Sequence, residues 1–173
     1  TLNRGTIQDR GETTVGDDNW VMAYVHVAHD CIVGNHTILA NTTNLAGHVT
    51  IGDWVILGGY TGVHQFCKVG AHAMTGVGSV VLHDIPPYVM ASGDSASPHG
   101  MNTEGLRRRG FDKDRISQLR KAYKLLYRSS LSLEDAIASI QAQIAELSDN
   151  EQSVADLTLM TEFLADATRG IVR

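Results

Sequence analysis

Eight histidines, at positions 26, 29, 36, 48, 64, 72, 83 and 99, are the residues best able to do chemistry in this 173-residue chain. A neutral imidazole, with an ordinary pKa near 6.5, can take a proton from a hydroxyl near neutral pH. His29 is followed directly by Asp30, a carboxylate able to orient the ring. That pairing needs a corner, because neighbours along a strand face opposite ways. Eighteen residues after His29 stands Gly47, whose unshielded N–H could receive an oxyanion. His48 follows it, and His64 and Gln65 come one interval later. A base beside an amide donor is the equipment of acyl transfer. The plain alternative is that outward positions have collected polar side chains with no chemistry.

A period of six positions these residues. Read from Val15 in steps of six, eleven of the twelve residues to Val81 are aliphatic, Thr75 being the exception. The next residue is usually small (Gly16, Ala28, Gly34, Ala46, Gly52), which is expected to let the backbone turn. An amphipathic helix repeats near 3.6 and a lone strand near 2. Six is the period of the hexapeptide repeat of a parallel β-helix. An ordinary β-sandwich would need accidental spacing over the whole run. Each hexad supplies a short strand and a corner, and three hexads close one coil. Residues three hexads apart then stack at roughly 4.8 Å, the strand spacing. His29, Gly47 and Gln65 fall in one column, with His26, His48 and His64 on the same edge. The period does not set the hand; the left-handed form is what the pattern resembles. Stacked histidines could instead hold zinc, but carbonic anhydrases of this architecture resemble a paired HxxxxH pattern that this chain lacks, so no metal is expected.

The fold class expected is an all-β left-handed parallel β-helix followed by an α-helical C-terminal domain. Its divisions are a β-helix over 1–84, a loop over 85–101 around Pro86, Pro87 and Pro98, and helices over 102–173. The helices are predicted near 103–109, 113–128, 133–147 and 151–167, with Ser132 and Asp135 forming a capping box. Nine Lys and Arg against three acids lie in 103–128, while 129–168 carry eight acids and no base. The basic stretch could receive an anion or pair with the acidic helices after it. The net charge of −5 argues against bulk nucleic-acid binding. No apolar run is long enough to cross a bilayer, so no transmembrane segment is expected. Cys31 and Cys67 are two coils apart, about 10 Å, too far for a disulfide. A reducing, cytoplasmic location suits them.

The stretches VHVAHDCIVGNHTILANTTNLAGHVTIGD, GGYTGVHQFCKVGAHAM, HDIPPYVMASGD, MNTEGLRRRGF, YKLLYRS and TRGIVR together resemble the UDP-N-acetylglucosamine acyltransferases of lipid A biosynthesis, collinearly over the whole chain. The resemblance implies earlier coils before Thr1. It implies transfer of an (R)-3-hydroxyacyl chain from acyl carrier protein to the 3-hydroxyl of UDP-N-acetylglucosamine. No cofactor is implied beyond the carrier's own phosphopantetheine. By position, His29 is the general base, Asp30 its carboxylate and Gly47 the oxyanion donor. His26, His48, His64 and Gln65 line the substrate pocket, and Asn102, Glu104, Arg108 and Arg109 bind the nucleotide. Val77 is the candidate limit on acyl length, and a homotrimer is implied. Asn3 stands where relatives often carry His before Arg-Gly-Thr, which implies altered contacts there. Another hexapeptide acyltransferase, moving an N-acyl or acetyl group, and a catalytically dead trimeric scaffold are the alternatives.

Overall fold

The computed structural model describes residues 1–147 and 150–173. Twelve two-residue strands recur every six residues: β1 (Thr14–Val15), β2 (Trp20–Val21), β3 (His26–Val27), β4 (Ile32–Val33), β5 (Ile38–Leu39), β6 (Asn44–Leu45), β7 (Thr50–Ile51), β8 (Ile56–Leu57), β9 (Gly62–Val63), β10 (Lys68–Val69), β11 (Met74–Thr75) and β12 (Val80–Val81). They form three parallel walls, β1-β4-β7-β10, β2-β5-β8-β11 and β3-β6-β9-β12. Pairs such as Thr14 with Ile32 and Asn44 with Gly62 fix the register at three hexads per coil. The solenoid is left-handed, with about four turns.

Its interior is the hexad pattern turned inward. Val27, Val33, Leu39, Leu45, Ile51, Leu57, Val63 and Val69 are all buried, together with Cys31, Val49, Val55, Cys67 and Ala73. Both cysteines are free. Burial pushes the Cys67 thiol up to about 11 and so keeps it protonated.

The turning residue is not the small one. Asp18, Tyr24, Asp30, His36, Thr42, His48, Trp54, Tyr60, Phe66 and His72 all have φ between 56° and 67°. A left-handed non-glycine residue costs on the order of 1 kcal/mol. Coil-to-coil hydrogen bonds offset that cost: His36 N–H donates to Asp17 O, Trp54 N–H to Asn35 O and His72 N–H to Asp53 O, at 2.8–2.9 Å. The small residues serve the stacking instead. A Cβ on Gly52 would stand 2.6 Å from Ala71 N, and one on Gly58 2.7 Å from Gly76 C. The three corner columns are Asp18-His36-Trp54-His72, Tyr24-Thr42-Tyr60-Gly78 and Asp30-His48-Phe66.

Residues 85–101, expected as a loop, hold two strands. β13 (Val89–Ser92) extends the second wall beside β11, and β14 (Ser97–Met101) pairs antiparallel with β13. Met74 pairs with Met90, so this coil falls two residues short of three hexads and escapes a six-residue reading. The prolines do not stop it: Pro87 packs on Gly70, and Tyr88 N–H carries on the ladder to Ala71 O. The helices α1 (Thr103–Arg108), α2 (Lys113–Tyr127), α3 (Leu133–Ala145) and α4 (Glu151–Ala165) follow, and the Ser132 hydroxyl caps α3 by accepting from Asp135 N–H. Arg115 of α2 holds Asp156 of α4 with bonds of 2.7 and 2.9 Å, and Asp156 also accepts the Tyr88 hydroxyl. The tail returns to the solenoid, where Val172 N–H donates to Asp84 O. Among the described residues no helix is long and apolar enough to cross a membrane.

Candidate active site

The third corner column gathers the candidate residues. Asp30 is left-handed, φ 58°, and that turn brings its carboxylate back to its neighbour. His29 Nδ1 lies 2.9 Å from Asp30 Oδ2, a pairing that a straight strand forbids. The Asp30 oxygens also accept the Thr6 N–H, at 3.0 and 3.1 Å, and the Thr6 hydroxyl, at 2.7 Å. Burial works to raise the Asp30 pKa, but these hydrogen bonds outweigh it and draw the carboxyl down to about 2. An ionised Asp30 keeps the His29 proton on Nδ1 and leaves Nε2 as the basic nitrogen.

Gly47 lies against this ring. A Cβ added there would stand 2.6 Å from His29 Cε1 and 2.7 Å from Nε2, so a larger residue could enter only if the ring moved aside. Gly47 is buried, and among the described residues its N–H meets no protein acceptor. His48 meets His29 edge to face, with ring centroids 5.0 Å apart, and stacks on Phe66 at 4.5 Å. His64 Nδ1 lies 3.1 Å from Gln65 O, and Gln65 continues the column above Gly47. His26 Nδ1 contacts the Thr1 hydroxyl at 2.7 Å. His29, Asp30 and His48 offer one ligand atom each within 4.8 Å of one another. Within this group the Asp30 oxygens are engaged by Thr6 and His29, whereas His48 bonds elsewhere. A cavity of about 790 Å³ opens over His29, walled by residues 2–8 and Gly11.

The other sequence-derived candidates stand on different edges. Asn102 is buried; it caps α1 through Gly105 N–H and donates from Nδ2 to His72 O. Arg109 lies over Trp54, 5.3 Å from the ring centre, and is 3.4 Å from His72 Nδ1. Burial first, then the charges of Arg109 and Arg115, press the His72 pKa down to about 4, so His72 accepts as a neutral ring. Glu104 pairs with the exposed Arg107 and Arg108. These residues cluster by the first corner column. Val77 is 79% exposed beside Gly78 on the second. Within one chain neither group meets His29.

Three residues at the His29 edge escaped the sequence reading: Thr6, Asp9 and Arg169. Asp9 Oδ2 lies 2.6 Å from His48 Nδ1, and Arg169 Nη2 lies 3.3 Å from His64 Nδ1. A signal for the first two exists. Counting hexads back from Val15 lands on Asp9 and Asn3, not on aliphatics, which marks a departure from the coil. Leu2 bridges to Val27 where a regular coil would bring Asp9 opposite it, so the chain takes a seven-residue detour out of the solenoid here.

Residues 84–172 match the family described as UDP N-acetylglucosamine O-acyltransferase, domain 2, and residues 12–47 match the bacterial transferase hexapeptide repeat. The chain is 57% identical over 173 residues to the acyl-[acyl-carrier-protein]–UDP-N-acetylglucosamine O-acyltransferase of Thiobacillus denitrificans, covering all of this chain and 64% of that one. It is 56% identical to the protein of the same name from Verminephrobacter eiseniae, covering 65% of it. Among solved structures, LpxA of Acinetobacter baumannii aligns with a TM-score of 0.91 at 48% identity, over 99% of this chain and 64% of that one. The UDP-N-acetylglucosamine O-acyltransferase of Moraxella catarrhalis aligns at 0.94 and 42%, over 100% and 65%. The chain thus spans just under two thirds of the relatives it matches.

Proposed function

The chain belongs to the UDP-N-acetylglucosamine O-acyltransferase family, and from that premise we propose that it moves an (R)-3-hydroxyacyl group from acyl carrier protein to the 3-hydroxyl of UDP-N-acetylglucosamine, opening lipid A biosynthesis in the cytoplasm. The observation that carries this reading is the Asp30–His29–Gly47 arrangement: an oriented base packed on a glycine whose N–H has no protein acceptor among the described residues. His29 Nε2 takes the sugar hydroxyl proton, and the oxygen attacks the thioester carbonyl carbon. The oxyanion leans on Gly47 N–H. As the intermediate collapses, the carbon–sulfur bond breaks and the pantetheine thiolate recovers the proton from His29. No bound cofactor or metal enters these steps.

The nucleotide and acyl-length residues require a second chain. Asn102, Glu104, Arg108 and Arg109 lie on one edge of the prism, Val77 on another and His29 on a third. Copies packed wall to wall, as in a homotrimer, would bring a neighbour's arginines to the UDP phosphates beside His29. His26, His48, His64 and Gln65 would line that cleft, and a branched Val77 would shorten the acyl groove. The exposed bases of α2, including Lys121 and Lys124, suit an acidic carrier. Incubation of the purified protein with UDP-N-acetylglucosamine and hydroxyacyl carrier proteins of mixed chain length, read by mass spectrometry, tests the reading. One O-acylated sugar nucleotide of defined chain length is expected; transfer from acetyl-CoA alone would contradict it.

A further inference from the structure

The structure contains a second histidine–carboxylate pair beside the first. His29 is oriented by Asp30 at 2.9 Å, and His48 by Asp9 at 2.6 Å, the two rings meeting edge to face at 5.0 Å. Asp30 belongs to the coil. Asp9 comes from the excursion over residues 3–13, which leaves the coil and walls the cavity above His29. The excursion is fastened at both sides of the corner. Asp30 accepts from Thr6, Asp30 N–H donates to the Thr13 hydroxyl at 2.8 Å, and Asp9 reaches across to His48 on the next coil. The His48 side chain is only 17% exposed, and its other faces are taken by Phe66 and His29.

We infer that Asp9 is a positioning residue for acyl transfer, holding His48 by Nδ1–H so that Nε2 is the one ring nitrogen left to the substrate. A carboxylate only accepts, so the nitrogen facing it carries the proton. His48 then presents a fixed nitrogen beside the reacting base without choosing between tautomers at each turnover. Because the partner sits on the excursion, the same bond ties the cavity wall to the His29 corner. This inference rests on the proposed acyl transfer for its kinetic consequence but not for its structural one.

Two readouts separate them. In the ligand-free protein, long-range nitrogen–proton NMR should find His48 protonated on Nδ1, and Asp9→Ala should abolish that single signature while the remaining histidine signals stay in place. Kinetically, Asp9→Ala should lower kcat about tenfold with the KM for the sugar nucleotide within twofold, and Asp9→Glu should recover most of the loss. A His48 ring protonated only on Nε2 in the wild type would overturn the inference, as would a folded Asp9→Ala protein with undiminished kcat. An equal loss in Asp9→Ala and Asp9→Glu would also overturn it. Absence of transfer by the wild type would fail the proposed function while leaving the NMR test of Asp9 standing.

Discussion

His29 and Gly47 are in contact across one coil: a methyl on Gly47 would lie 2.6 Å from Cε1 of the His29 ring. The obstacle is a side chain able to swing, not backbone. Gly47→Ala should therefore displace the imidazole more than it disturbs the solenoid. We expect kcat to fall about 10²-fold, the cost of misplacing a reacting group by an ångström, with the unfolding midpoint close to wild type. Steady-state kinetics with a thermal melt checks both halves. Normal kcat in Gly47→Ala would mean that His29 has no need of this seat.

His72 provides a pH signature of stability. Its folded pKa is about 4 against an ordinary 6.5. Between these values the unfolded chain binds the proton and the folded chain does not, so stability falls as pH drops from 6.5 to 4. Above 6.5 and below 4 this residue contributes no slope. The ring is partly exposed, and with solvent screening the loss across the window should be on the order of 2 kcal/mol. Urea denaturation at intervals of pH should show the slope in the wild type and a flatter profile in His72→Gln.

The helical domain is tied by Arg115 and Asp156, whose side chains are 16% and 9% exposed. Asp156→Ala leaves a guanidinium without its bidentate partner and the Tyr88 hydroxyl without an acceptor. A loss of about 3 kcal/mol is expected in chemical denaturation. Because neither residue is among the proposed catalytic groups, kcat below the unfolding transition should hold.

Much of this molecule was legible in its sequence because a solenoid converts spacing into position. Once three hexads make a coil, His29, Gly47 and Gln65 must share a column, and no tertiary knowledge is needed. The His29–Asp30 pairing was legible only as a condition, since it depends on Asp30 turning left-handed at a corner that Tyr, Trp, Phe and Thr occupy equally well elsewhere. Legibility ends where the periodicity does. Pro86 and Pro87 suggested a loop, yet a shortened coil still pairs β13 with β11. The excursion around Asp9 has no period, so its contacts with His48 and Asp30 are fixed by tertiary packing alone. Arg169 reaches His64 from far along the chain, through a helical domain whose docking no local pattern records.

The most direct test is the turnover of His29→Ala in acyl transfer from hydroxyacyl carrier protein to UDP-N-acetylglucosamine. Loss of the proposed general base should lower kcat by roughly 10² to 10⁴, with the fold intact and nucleotide binding retained. A folded His29→Ala protein that turns over at the wild-type rate would contradict the account.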